Sequence, residues 1–192
     1  MKTALILAIA ALYSQNSYAD QSHDATAPDD CCKVTAAAAP LPGKSIYQLG
    51  SEWTDDNGRT FELGSLRGKH VLVGMFFTSC QFACPVLVHD MKTFQANLSP
   101  AERAKTELVL ISFDSARDNV EALHAFRKTN ELDEHWHIVR GQSDDVAETA
   151  AVLGVRYKQD AKGDFMHSNL ITFLNADGVV DVQKSGNQIV RE

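Results

Sequence analysis

Residues 71–91 read VLVGMFFTSCQFACPVLVHDM, and this stretch decides the fold. Residues 71–77 are apolar, rich in branched and aromatic side chains, and bounded by Lys69-His70 and Thr78-Ser79, the pattern of a buried strand. Cys80 and Cys84 follow. Pro85 fits the first position of a helix, where its missing N–H costs nothing, and Val86, Leu87 and Phe94 recur behind it at helical spacing. Both thiols thus fall at a strand-to-helix junction, Cys80 in the loop and Cys84 at the helix start. The positive end of a helix favours thiolate over thiol, so at least one sulfur is expected to be more reactive than a free cysteine.

Working outward, residues 45–53 and 60–63 read as short strands about Asp55-Asp56-Asn57-Gly58, whose Asn-Gly is a hairpin signal. Downstream, Ser99-Pro100-Ala101-Glu102 marks a boundary or a short helix start, and residues 107–113, ELVLISF, form a second buried strand. Residues 119–130 read as a helix with Val120, Leu123 and Phe126 or the Arg127 stem facing inward. A short strand over 135–139 follows, then a helix over 144–153 stopped by Gly154, then a hairpin of 170–175 with 179–184 about Asp177-Gly178. There is no internal repeat. Strands alternating with helices imply an α/β fold whose sheet has parallel members and is covered on both faces.

The chain has 192 residues, 44% of them hydrophobic, enough for one domain with a full core. Its formal net charge of -7 excludes nucleic acid and anionic membrane surfaces as partners, since no basic patch meets phosphates. Residues 1–19 carry the marks of a secretory signal: Lys2, an apolar core over 4–12, and the small-x-small ending Ser17-Tyr18-Ala19. Cleavage before Asp20 leaves no stable membrane insertion and a periplasmic or secreted protein. Residues 20–42 read as a flexible tail holding His23 and Cys31-Cys32, and residues 43–192 as the globular domain. Adjacent cysteines bridge each other poorly, so Cys31 and Cys32 are open to pairing with other thiols, to a soft metal, to staying unpaired, or to relaying a soft ion or electrons to Cys80 and Cys84.

The quoted order is compatible with a thioredoxin-like fold, and from about Ser45 to Gly186 the chain resembles the Sco/SenC family of copper-binding assembly factors for cytochrome oxidase. The resemblance is carried by Asp56-Asn57-Gly58, Leu66-Arg67-Gly68-Lys69, Phe77-Thr78-Ser79-Cys80 with Cys84-Pro85, Ile111-Ser112-Phe113-Asp114 with Arg117-Asp118, and His167 ahead of Leu174-Asn175-Ala176-Asp177-Gly178. It implies a central mixed sheet with helices on both faces, preceded by an N-terminal β-hairpin. It also implies copper held by Cys80, Cys84 and His167 and delivered to a copper-accepting protein, in the family a cytochrome oxidase subunit. Gln81 stands where the family usually has proline, and the chain ends at Glu192 where a final helix is usual.

The residues themselves leave three functions open. Two thiolates four positions apart at a helix start can converge on one soft ion, with an imidazole as third ligand, which makes a copper carrier. If Cys80 and Cys84 are instead redox-active catalytic thiols, one attacks a target disulfide and the other resolves the mixed disulfide, so that the protein reduces the cysteines of a target metalloprotein. A peroxidase needs one low-pKa cysteine and a peroxide pocket that no residue pattern supplies. A plain structural disulfide has modest value across so short a loop. Among the remaining groups, His135 and His137 share one strand face, a chelating spacing, with surface exposure the expectation. His70, His89 and His124 read as ordinary polar positions. Asp114 and Asp118 read as an acidic rim or as helix caps, and Met166 as core filler or a soft auxiliary ligand.

Overall fold

The computed structural model describes residues 39–161 and 163–185. The signal segment 1–19 and the tail cysteines Cys31 and Cys32, with His23, lie outside the described residues. Strands β1 (Trp53–Asp55), β2 (Thr60–Phe61) and β3 (His70–Phe76) lead into helix α1 (Ala83–Ala96) and the short helix α2 (Pro100–Arg103). Then come β4 (Thr106–Ser112), α3 (Val120–Thr129), β5 (Trp136–Arg140), α4 (Ser143–Val152), β6 (Tyr157–Gln159), β7 (Phe165–His167), β8 (Leu170–Leu174) and β9 (Val180–Ser185).

Seven strands form one mixed sheet in the order β2-β1-β5-β4-β3-β8-β9, in which β3, β4 and β5 pair in parallel and every other neighbouring pair is antiparallel. This is the thioredoxin-like arrangement expected, with the N-terminal hairpin added at one edge. The continuous apolar runs of β3 and β4 are explained by burial on both faces: every residue of β3 after His70 is buried. Gly74 lies where α1 crosses the sheet, and a Cβ there would stand 3.1 Å from both Leu87 Cδ2 and Met91 Sδ. That close approach seats the helix and fixes where its first turn begins. Phe126 of α3 packs on Phe76 of the same face, with ring centroids 4.7 Å apart. On the opposite face Gln183 of β9 donates from Nε2 to the Leu153 carbonyl at the end of α4.

Local signals account for most boundaries. Ser99 and Glu102 make a reciprocal capping box around Pro100. The Asn119 side chain accepts from the Ala122 amide and starts α3. Gly154 takes a positive φ of 68° just past α4. The turn between β1 and β2 is held by Asp55, whose Oδ1 accepts from the amides of Asn57 and Arg59, with Gly58 at φ 77°.

Three expectations are corrected. Residues 45–52 are not a strand: Ser45 caps a 3-10 turn, Ile46–Gln48, and the strand of the hairpin is only β1. Leu63 begins a second 3-10 turn, Leu63–Leu66, rather than ending a strand. Pro85 is not the first residue of its helix, because Ala83 and Cys84 precede it; it is tolerated there because first-turn amides have no intrahelical acceptor. The unforeseen element is the β6-β7 hairpin, a separate two-stranded sheet.

Candidate metal centre

Helix α1 begins without a capping side chain: Phe82 at the N-cap offers no acceptor. Its first-turn amides therefore need another partner, and the Cys84 N–H donates to Cys80 Sγ at 3.3 Å. The Cys80 sulfur thus serves as an acceptor at the positive end of the helix. Cys84 is different. Its side chain lies inside the core at 1% exposure, and desolvation pushes its thiol pKa well up from the usual value, reinforced by the neighbouring Cys80 sulfur and, least, by the Asp118 charge. The helix start does not make Cys84 acidic, because burial outweighs it. Both thiols are free.

His167 ends β7, and the fold brings it to the cysteines from far along the chain. Its Nε2 is 4.0 Å from Cys80 Sγ and 3.7 Å from Cys84 Sγ, and the three ligand atoms lie within 4.8 Å of one another. Among the described residues this is the one group of three or more His, Cys, Asp or Glu side chains so converged. The Ser168 carbonyl lies 3.2 Å from Nδ1, and a carbonyl can only accept, so Nδ1 carries the proton and Nε2 turns a lone pair to the sulfurs. Burial holds the His167 pKa below the ordinary histidine value, keeping the ring neutral.

These separations suit one ion. Bonds of about 2.3 Å to sulfur and 2.0 Å to nitrogen, as in zinc sites, set about 120° apart put S and N about 3.7 Å from each other. The donor chemistry, two sulfurs and one imidazole, favours a soft or borderline metal.

The imidazole is fixed by aromatic packing. Phe113 lies 5.0 Å from it, Phe77 meets it edge-on at 6.0 Å, and Tyr157 stacks on Phe113 at 5.2 Å. Arg117, paired with Asp114, donates to the Gly163 carbonyl in the β6-β7 turn and sits over the Phe165 ring at 5.7 Å. Behind the cysteine loop the buried Asp118 accepts from the Thr78 amide and hydroxyl and from the Ser112 hydroxyl.

Neither Asp114 nor Asp118 forms a rim or a cap; both are buried, at 2% and 1% exposure, and Asn119 caps α3. Met166 is no core filler, since at 65% exposure it stands on the lip of an open cleft of about 560 Å³. Cys80, Phe82 and His167 also line that cleft. His70 and His89 are exposed, while His124 is half-buried with Nδ1 3.9 Å from Asp56. His135 and His137 are half-buried against Glu107 rather than exposed on the surface. Of the residues that position His167, Phe113 and Arg117 entered the sequence reading only as carriers of the family resemblance, and Tyr157 and Phe165 escaped it. The signal that was present is Gly163-Asp164, a turn-forming pair between Tyr157 and Phe165.

A family model described as SCO1/SenC matches residues 44–188. The SCO1 protein homolog of Bacillus subtilis (strain 168) is 25% identical over 130 residues, covering 66% of this chain and 67% of that protein. The structure of Bradyrhizobium japonicum ScoI with copper bound is similar at a TM-score of 0.63 and 22% identity, over 72% of this chain and 88% of that one. BsSco, a member of the Sco family of cytochrome c oxidase assembly proteins in which a disulfide switch was identified, gives 0.62 at 23% identity, over 72% and 82%. The structural likeness at these identities speaks for the fold.

Proposed function

The chain belongs to the SCO1/SenC family, and from that premise we propose that it is a periplasmic copper chaperone. It holds the ion through Cys80, Cys84 and His167 and passes it to a partner protein during assembly of a cytochrome oxidase copper centre. The observation that carries this reading is the convergence of two sulfurs and a neutral imidazole nitrogen within 4.8 Å. Two sulfurs suit monovalent copper, and the imidazole tolerates the divalent state. Cys80 and His167 face an open cleft, which gives a recipient's ligands a path to the ion. The copper bound to B. japonicum ScoI and the place of BsSco among oxidase assembly proteins support the choice of ion and of recipient class. The signal segment 1–19 supports the periplasm, and the domain proper is taken to run over 43–192. Among the described residues no helix is long and apolar enough to cross a membrane.

One observation favours a second reading, a thiol-disulfide oxidoreductase. Cys80 is partly exposed and bonded to a helix amide, while Cys84 is buried with a raised pKa, the asymmetry of an attacking and a resolving thiol. In that reaction the Cys80 thiolate attacks a target disulfide and expels one target thiolate. Cys84 then loses its proton, attacks Cys80 Sγ and expels the second, so two electrons pass to the target and a Cys80-Cys84 disulfide remains.

Titrating monovalent copper into the reduced protein separates the two. One equivalent is expected to bind tightly, and to be lost on oxidation or in the Cys80→Ser, Cys84→Ser double variant. His167→Ala is expected to weaken copper by about 10- to 100-fold or more while disulfide exchange persists. An unchanged copper affinity in His167→Ala would transfer the assignment to the oxidoreductase.

A further inference from the structure

The cysteine loop follows the end of β3, but a second group of metal-ligating side chains gathers where β4 and β5 begin. Glu107 is the second residue of β4, His137 the second of β5, and His135 stands immediately before β5. Alternation along an extended chain puts His135 and His137 on one face. There His137 Nε2 is 3.2 Å and His135 Nδ1 3.6 Å from the same carboxylate oxygen, Glu107 Oε2. The three side chains are 26%, 24% and 13% exposed, so an ion can reach them without opening the core. Phe61 of β2 stacks on the His137 ring at 4.9 Å and walls one side. On the other side Lys69 Nζ lies 3.5 Å from Glu107 Oε1.

We propose that His135, His137 and Glu107 form a second metal site, which takes a divalent transition ion of the zinc or copper(II) class. The donors are two imidazoles and a carboxylate with no sulfur, a set that suits borderline divalent ions and gives monovalent copper no preference over the cysteine site. Ligand atoms about 2.0–2.1 Å from a tetrahedral ion stand about 3.3–3.4 Å apart. The two N···O separations of 3.2 and 3.6 Å bracket that edge. The imidazoles flank the oxygen they share and the three ligand atoms do not all lie within 4.8 Å of one another, so the ion completes its shell by drawing the His135 ring, the more distant of the two, inward. His137 is held by Phe61 and stays. The Lys69 ammonium already balances part of the Glu107 charge and opposes the incoming cation.

That opposition distinguishes a metal site from two imidazoles merely hydrogen-bonded to one carboxylate. The test is calorimetric titration of zinc chloride into the mature chain carrying Cys80→Ser and Cys84→Ser, which takes the sulfur site out of play. Adding His135→Gln and His137→Gln is expected to remove one equivalent of zinc, and adding Lys69→Met instead is expected to tighten that equivalent several-fold. Groups of the tail are the same in every arm and cancel. Zinc-induced shifts of the His135 and His137 imidazole nitrogens, read by NMR in the background carrying only the serine changes, give the same answer if the double histidine variant folds poorly. Equal zinc stoichiometry with and without the two histidines, or imidazole nitrogens that do not move on zinc addition, would overturn the site.

Discussion

Replacing Asp118 by alanine strikes the scaffold of the cysteine loop without touching a proposed ligand. The Asp118 carboxylate is 1% exposed and accepts from the Thr78 N–H at 2.9 Å and from the Thr78 and Ser112 hydroxyls at 2.5 Å. Hydrogen bonds to a charged group contribute about 1.5–3 kcal/mol each, and a buried donor left unpaired costs about 1–3 kcal/mol. The Thr78 amide is fixed and bears its full share, whereas the two hydroxyls can turn toward other acceptors. Asp118→Ala is therefore expected to cost about 3–5 kcal/mol, a large part of the roughly 5–15 kcal/mol that holds a domain folded. Urea unfolding of the reduced protein measures it, with the midpoint lowered and the slope unchanged. Asp118→Asn keeps an oxygen for the Thr78 amide but removes the charge that helps raise the Cys84 thiol pKa. The pH midpoint of Cys84 alkylation should then fall. A stability loss below about 1 kcal/mol in Asp118→Ala would refute the view that this network holds the loop.

Phe113→Ala removes the 4% exposed ring against which Phe77, Tyr157, Phe165 and His167 all pack. It should cost about 3–5 kcal/mol in chemical denaturation and weaken copper binding in the same protein. Gly74→Ala puts a methyl 3.1 Å from the ends of Leu87 and Met91, and is expected to cost about 1–3 kcal/mol by thermal unfolding. Copper affinity measured across pH should fall on acidification first through Cys84, whose raised pKa leaves a proton to displace, with His167 competing only below the ordinary histidine range. In the metal-free protein the depressed His167 pKa gives stability that is present above the unfolded value of about 6.5 and lost as pH falls; His167→Gln should flatten that acid limb.

What the sequence made legible was whatever local chemistry dictates. The buried run that became β3, the capping box at Ser99 and the turn at Asn57-Gly58 each carry their cause in adjacent residues. Depth is another matter. Position at a helix start spoke for at least one reactive thiol, but only the packed structure shows that the Cys84 sulfur lies inside the core, where desolvation prevails. Asp118 has the composition of a cap, and its role as the acceptor behind Thr78 depends on a contact 40 positions away. The β6-β7 hairpin was missed because residues 157–164 are mostly polar and make too short an alternation to read. Ile46 and Tyr47 looked strand-like because one is β-branched and the other aromatic, yet the Ser45 hydroxyl turns the backbone into a 3-10 coil.

His167 rides on a two-stranded sheet that shares no ladder with the seven-stranded one. A hairpin of that size is marginal by itself, so its place depends on the Phe113 cluster and on the Arg117 bond to Gly163. On the reading proposed above, the apparent affinity for the ion is the intrinsic affinity multiplied by the fraction of time the hairpin is docked. A hairpin docked about one tenth of the time forfeits about tenfold, or about 1.4 kcal/mol. On that reading, a recipient that leaned on the exposed Met166 of the hairpin and tipped this balance would loosen the cargo like a lever, with no change of oxidation state at either sulfur. Retention and discharge then become two settings of one mechanical joint.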